Sequence, residues 1–174
     1  MKILKFPLML IIIIVLLFLG CSETDDGTYV EPISTYEKIK GVWNLSSLIY
    51  KDDYANSLEL EPSEVNLTNV FNFNNLQLTL NVDDKNQPLD YAVSGNVPKL
   101  FPAVGYWELS SSFPTTNLEP ILIHLYSDTQ KSNKIGELNL TSIPSGNNNM
   151  EIRLIRSSSQ VPFATYIFKF FPSN

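Results

Sequence analysis

The chain has 174 residues, of which 44% are hydrophobic, 11% aromatic and only 17% charged, the make-up of one folded domain plus processing segments. Its formal charge is −6; of its 12 basic residues Lys2 and Lys5 lie in an N-terminal leader, leaving 10 against 18 acidic side chains. That balance repels polyanions and excludes nucleic acid as a main partner. With a single cysteine, Cys21, the chain can form no internal disulfide.

Met1-Lys2-Ile3-Leu4-Lys5 is a positively charged start, and residues 6–19 are apolar apart from Pro7. Residues 6–20 would span about 22 Å as a helix at ~1.5 Å per residue, short of a hydrocarbon core of about 30 Å. That length suits the apolar stretch of an export signal. The stretch ends in Phe18-Leu19-Gly20-Cys21, which resembles the lipobox of bacterial lipoproteins. Gly20 and Cys21 fit the motif well and Leu19 is acceptable, whereas bulky Phe18 replaces the usual aliphatic residue. The resemblance implies a signal peptide over residues 1–20 and acylation of Cys21, with palmitate-like chains worth ~0.8 kcal/mol per buried methylene.

Ser22 is not the aspartate that retains many lipoproteins in the inner membrane. Glu23-Thr24-Asp25-Asp26 looks like the acidic export tag of Bacteroidetes lipoproteins, and reads equally well as a solvated acidic linker. Residues 21–35, with Gly27, Pro32, several hydroxyls and no apolar periodicity, form a tether. The expected domains are thus a signal at 1–20, a lipid-anchored tether at 21–35 and a β-domain at 36–174. The expected location is the outer membrane, lipid-anchored and facing the cell surface.

Ser34 or Thr35 can cap one helical turn over residues 34–40. Beyond it, apolar residues mostly alternate, the period-2 signature of half-buried strands. In residues 41–50, Trp43, Leu45 and Ile49 share one face with Ser47, and Val42, Leu48 and Tyr50 share the other. Residues 76–82 alternate most cleanly, with Leu76, Leu78, Leu80 and Val82 inward. Further strands are expected at 65–73, 91–94, 104–110, 121–127, 135–142, 150–156 and 163–171. Turn clusters separate them at Asp83-Asp84-Lys85-Asn86, at 127–133 and at Ser145-Gly146-Asn147-Asn148-Asn149. Eight or nine short strands with hairpin-length links predict an all-β, up-and-down antiparallel barrel or sandwich, and closure would remove its exposed edges.

Gly41-Val42-Trp43 opens the first strand behind the helical lead-in, and Gly105-Tyr106-Trp107-Glu108-Leu109 follows Gly95-Asn96-Val97-Pro98-Lys99. With the lipobox and tether, this resembles the lipocalin-like lipoprotein families of Bacteroidetes whose function is unassigned. The resemblance covers residues 36–171 and implies a lipocalin-like barrel of about eight strands, with Gly41 and Trp43 as its structural signature. It also implies a cation–π contact on Trp43 from Arg153 or Arg156. The second and third lipocalin motifs are missing, so no ligand-binding residue is carried over.

The inventory for chemistry is thin. His124, the only histidine, is expected as an ordinary strand residue rather than a base or metal ligand. Asp83-Asp84 and Asp52-Asp53 lack the alternating acidic spacing of a calcium loop and read as turns. No nucleophile elbow is present, and the three Asn-Leu-Ser/Thr matches at Asn44, Asn66 and Asn139 read as chance in an Asn-rich chain. No metal and no cofactor is expected, and the protein is expected not to be an enzyme. The leading expectation is a surface lipoprotein holding a small apolar or amphiphilic ligand in its barrel, with residues 101–106 and the 51–64 loop as rim or lid. The alternative is a structural or accessory lipoprotein acting through protein contacts.

Overall fold

A computed structural model describes residues 30–114, 119–146 and 148–173. The expected export leader, Cys21 and the acidic cluster all lie outside the described residues. Ile33–Asn174 forms one compact unit with its own closed sheet and core, the requirement for a domain that folds by itself.

The unit opens with helix α1, Thr35–Ile39. Ser34 caps it: the Glu37 N–H donates to Ser34 Oγ, while Glu37 Oε2 accepts from the Ser34 N–H at 2.7 Å. This reciprocal capping box satisfies donors that a bare helix start leaves unpaired. It also holds the exposed Glu37 carboxyl below its ordinary range, through the Ser34 backbone and then its hydroxyl. Thr35, Tyr36 and Ile39 are the buried face. Lys40 is extended and Gly41 has φ +107°, a turn of backbone that glycine makes without Cβ strain.

Nine strands come next: β1 Gly41–Asp52, β2 Glu64–Asn66, β3 Gln77–Val82, β4 Pro88–Ser94, β5 Val104–Leu109, β6 Ile121–Tyr126, β7 Lys134–Ser142, β8 Met150–Ser158 and β9 Val161–Pro172. All pairings are antiparallel, in the order β1-β3-β4-β5-β6-β7-β8-β9, and β9 returns to pair with β1. The result is a closed eight-stranded barrel with β2 as an extra strand, consistent with a lipocalin-like barrel. Strand β1 bridges three neighbours. Its first residues pair with β3, Ile49–Lys51 pair with β2, and its other edge pairs with β9 from Trp43 to Asp52.

Two sequence expectations are corrected. First, β1 does not alternate evenly. A bulge between Leu45 and Ser47 shifts its register with β9, and Ser46 Oγ donates to the Lys169 carbonyl at 2.9 Å. One extra residue reverses the parity of the rest of the strand, so Leu48 joins Trp43 and Leu45 in the core and Ile49 does not. Second, residues 65–73 are not one strand. Beyond Asn66 the chain turns: Asn66 Oδ1 accepts from the Thr68 N–H at 2.9 Å. Phe71 and Asn72 are left-handed, and Phe73–Asn75 form one 3₁₀ turn. Local side-chain bonds and asparagines compete here with the sheet ladder. The other strands stand within a few residues of expectation.

The β8–β9 hairpin closes on Ser159 and Gln160, both at positive φ, as the right-handed strand twist requires of a two-residue loop. In the β6–β7 turn the Asp128 carboxylate accepts from the Ser132 and Asn133 N–H groups. These bonds lower its pKa.

Candidate functional site

One end of the barrel is shut by α1. The Trp43 indole Nε1–H donates to the Ile39 carbonyl at 2.7 Å, and the buried ring stands beside the helix it caps. Gly41 provides the backbone turn that lets β1 leave α1 at this angle. The Tyr36 hydroxyl accepts from the Leu109 N–H at 3.0 Å, and its ring meets Trp107 at 5.4 Å. Burial raises the Tyr36 pKa, against the lowering effect of the Leu109 bond. Trp107 is wholly buried and donates from Nε1 to the Asn81 carbonyl at 2.9 Å. Closure of this end therefore rests on two tryptophans and a tyrosine, of which the sequence singled out Trp43 alone. The Gly-Tyr-Trp run of β5 was the available signal for Trp107.

The interior is occupied by the barrel's own side chains. Leu78, Leu80, Tyr91, Ile123, Leu125 and Phe168 are among its fully buried members. At the opposite end the β4–β5 connection, residues 95–103, lies across the mouth. Phe101 meets Phe168 edge-on at 5.8 Å, and Phe168 stacks on Phe170 at 6.2 Å. The Tyr91 hydroxyl donates to the Pro102 carbonyl at 3.1 Å, and Arg156 Nη2 donates to the Leu100 carbonyl. Burial pushes the Tyr91 phenol up to about 12. Beneath this loop, among the described residues, lies a void of about 30 Å³ lined by Leu76, Val93, Leu100 and Phe101, room for about one water molecule. The expected rim at 101–106 is thus split: Phe101 and Pro102 cover the mouth, while Val104 onward is wall. The 51–64 loop lies to the side, its short helix α2 (Asp53–Ser57) capped by Asp52. Thr165 Oγ1 donates to Asp53 Oδ2 at 2.6 Å and fixes the loop to β9.

Neither arginine reaches Trp43. Arg153 turns to Glu151 on its own strand, at 2.8 Å, and Arg156 is spent on the Leu100 carbonyl at the opposite end. The cation–π expectation is therefore corrected: the helix backbone, not a guanidinium, is the partner of the signature indole. Burial alone would raise the Glu151 pKa. The Thr141 hydroxyl, the Arg153 bond and the charges of Arg153 and Lys169 outweigh it and hold the carboxyl below its ordinary range.

His124 stands on β6 between Glu108 of β5 and Glu137 of β7, its cross-strand partners. Its Nδ1 lies 3.1 Å from Glu137 Oε2 but is not aligned with it as a hydrogen bond. Glu137 also pairs with Lys134, and Glu108 lies 4.0 Å from Lys131. No hydroxyl is hydrogen-bonded to His124 among the described residues, so a nucleophile–base pair is not assembled there. Asp83 Oδ1 accepts from the Lys85 and Gln87 N–H groups as a turn former. Among the described residues no three His, Cys, Asp or Glu side chains converge as metal ligands.

Barrel and helical plug together are the content of one family model. The chain belongs to the DUF5004 family. That model, described as a domain of unknown function, matches residues 20–171 of this chain. No curated protein and no solved structure gives a significant match.

The DUF5004 barrel exposes large apolar side chains around its covered mouth. Tyr54, Leu58 and Leu60 of the 53–63 segment are all more than half exposed, as is Val161 at the β8–β9 hairpin. Phe163 and Val104 are exposed on the strands that begin at the same end. Single exposed apolar residues are ordinary; a rim of them marks a surface with a use.

Proposed function

We propose that the protein is a non-enzymatic lipoprotein of lipocalin-like fold, anchored in the outer membrane through acyl chains on Cys21 and displayed at the cell surface. It works as an accessory protein by contacts made with the outside of its barrel. The observation that carries this reading is the filled interior under a covered mouth, combined with the apolar rim. A barrel whose core is its own side chains has its binding capacity on the exterior. The lipobox-like Phe18-Leu19-Gly20-Cys21, the acidic residues after it and the family match from residue 20 support the anchor. Within the barrel unit the chain begins at α1, on the closed end and opposite the rim.

The small void under Phe101 favours one second reading, an apolar ligand that enters when the 95–103 loop lifts. Two measurements decide. Growth on labelled palmitate should tag the protein and should fail to tag Cys21→Ser; an unlabelled wild type overturns the anchor. Native mass spectrometry of the chain from Ser22, isolated from its own host, should return the bare polypeptide mass. A retained small molecule would replace the surface reading by the interior one.

A further inference from the structure

On the outer wall, four neighbouring strands each place one residue in a single row. Phe171 of β9 pairs with Asn44 of β1, Asn44 with Gln77 of β3, and Gln77 with Ser94 of β4. At ~4.8 Å between strands the row is about 14 Å long. Asn74 and Asn75 of the 3₁₀ turn stand over it and bound an open cleft of about 360 Å³, within the range of roughly 300–1,000 Å³ common for small-molecule sites.

No lining residue of this cleft is charged, in a chain of formal charge −6. Gln77 Nε2 donates to Asn44 Oδ1 at 3.0 Å, which orients both amides. The Asn44 N–H pair and the Gln77 carbonyl remain for a guest. The side chains of Asn74 and Asn75 have no partner among the described residues. Phe171 is 43% exposed at the end of the row. The turn is held from behind: Gly95, at φ +100°, lies so close to the Asn75 carbonyl that any Cβ there would collide with it.

Planar amides that each donate and accept, beside an exposed aromatic ring, match one chemistry well. A neutral pyranose has neighbouring hydroxyls that donate and accept, and a C–H face that packs on an aromatic ring. An ion would find no counter-charge here, and a hydrocarbon chain would strip water from the amides without replacing its bonds. A peptide strand needs a free backbone edge, but the main chain here is already paired, the Leu45 N–H donating to the Leu76 carbonyl at 3.0 Å.

We propose that this cleft binds a neutral carbohydrate, a short oligosaccharide laid along the row from Phe171 through Asn44 and Gln77 to Ser94. This goes beyond the anchored, rim-contacting role and requires neither the lipid nor the rim. The test is a ¹⁵N NMR titration of the chain from Ser22 with cellobiose, maltose, lactose, chitobiose and mannobiose, with glucuronic acid as charged control. The side-chain amide signals of Asn44, Asn74, Asn75 and Gln77 should shift saturably with at least one of the five neutral sugars. Phe171→Ser and Asn74→Ala, both at exposed positions, should each weaken that binding by about fivefold or more, the effect of one lost contact, and Leu58→Ser should leave it unchanged. Saturable shifts with none of the five overturn the proposal, as do shifts centred elsewhere or undiminished by both cleft variants. Because the protein used carries no lipid, a failed titration leaves the anchor reading standing, and absent palmitate labelling leaves the cleft standing.

Discussion

The indole of Trp43 and the carbonyl of Ile39 are joined by a 2.7 Å hydrogen bond inside the closed end of the barrel. The carbonyl belongs to the last residue of α1, where a helix leaves its acceptors unpaired unless something else supplies a donor. Here a side chain of the first strand supplies it. Helix and barrel are thereby one structural unit.

Replacing Trp43 by Phe removes that donor, strands a buried acceptor and leaves a small cavity. The combined cost is about 2–4 kcal/mol. It should appear in urea denaturation as a lower midpoint with an unchanged slope. A midpoint equal to wild type would mean that the helix is held by its apolar face alone.

The covered mouth predicts a different signature. Phe101→Ala takes away the ring that meets Phe168, at a cost of about 1–2 kcal/mol for a half-buried aromatic. Its more telling effect is on access: with the loop loosened, an apolar dye such as ANS should bind the native protein where wild type binds little. Equal dye fluorescence in both would show that residues 95–103 do not seal the core.

The fold was legible in the sequence where one rule acted alone. Residues 76–82 alternate without interruption, and β3 stands over Gln77–Val82 with Leu78 and Leu80 inside. The Ser34 cap was visible as a hydroxyl before an apolar turn. Elsewhere local forces compete, and pattern alone does not decide between them. The Ser46 bulge is decided by a bond to Lys169, far away in the chain, and no pattern within β1 signals it. Residues 65–73 carry enough Leu, Val and Phe to read as one strand, yet beyond Asn66 asparagine turns fold the chain into a cover with Phe73 buried. The row from Phe171 to Ser94 was invisible for a related reason: strand parity showed Gln77 pointing outward, but only register brings Asn44 beside it. The covered mouth likewise depends on long-range contacts of Phe101, Tyr91 and Arg156.

Tyr91 gives the barrel an alkaline limit. Its phenol, buried and bonded to the Pro102 carbonyl, is pushed from 10.0 up to about 12. Between those values the unfolded chain releases a proton that the folded barrel keeps. The contribution is thus fully present below pH 10.0 and is lost as pH rises through about 12. Tyr36 shifts the same way, again chiefly by burial. Urea midpoints should fall across this window, and Tyr91→Phe should flatten the fall although it loses one hydrogen bond. The Tyr91 share of the tyrosinate signal should rise late and together with unfolding. A Tyr91 signal titrating near 10 in the folded protein would contradict the burial argument.

Three glycines separate backbone strain from steric collision. Gly41 has φ +107° with open space around its missing Cβ, Gly95 has φ +100° with the Asn75 carbonyl in the way, and Gly146 has open space and no such conformation. Gly146→Ala should therefore change stability by no more than about 0.5 kcal/mol. Gly41→Ala bears the left-handed penalty alone, about 1–2 kcal/mol. Gly95→Ala bears that penalty and must also push the 3₁₀ turn off β4, for a total of about 2–4 kcal/mol. The same displacement moves Asn74 and Asn75 away from Asn44 and Gln77, so Gly95→Ala should weaken sugar binding in the wall cleft although residue 95 offers no side chain to the guest. Gly41→Ala, three residues before Asn44 but outside the cleft and with open space around the added Cβ, should leave binding intact at equal occupancy of the folded state. Thermal melts and NMR titrations of the three variants measure both axes. An order of stability other than Gly146, Gly41, Gly95, from least to most affected, would refute the backbone account of how the turn is positioned.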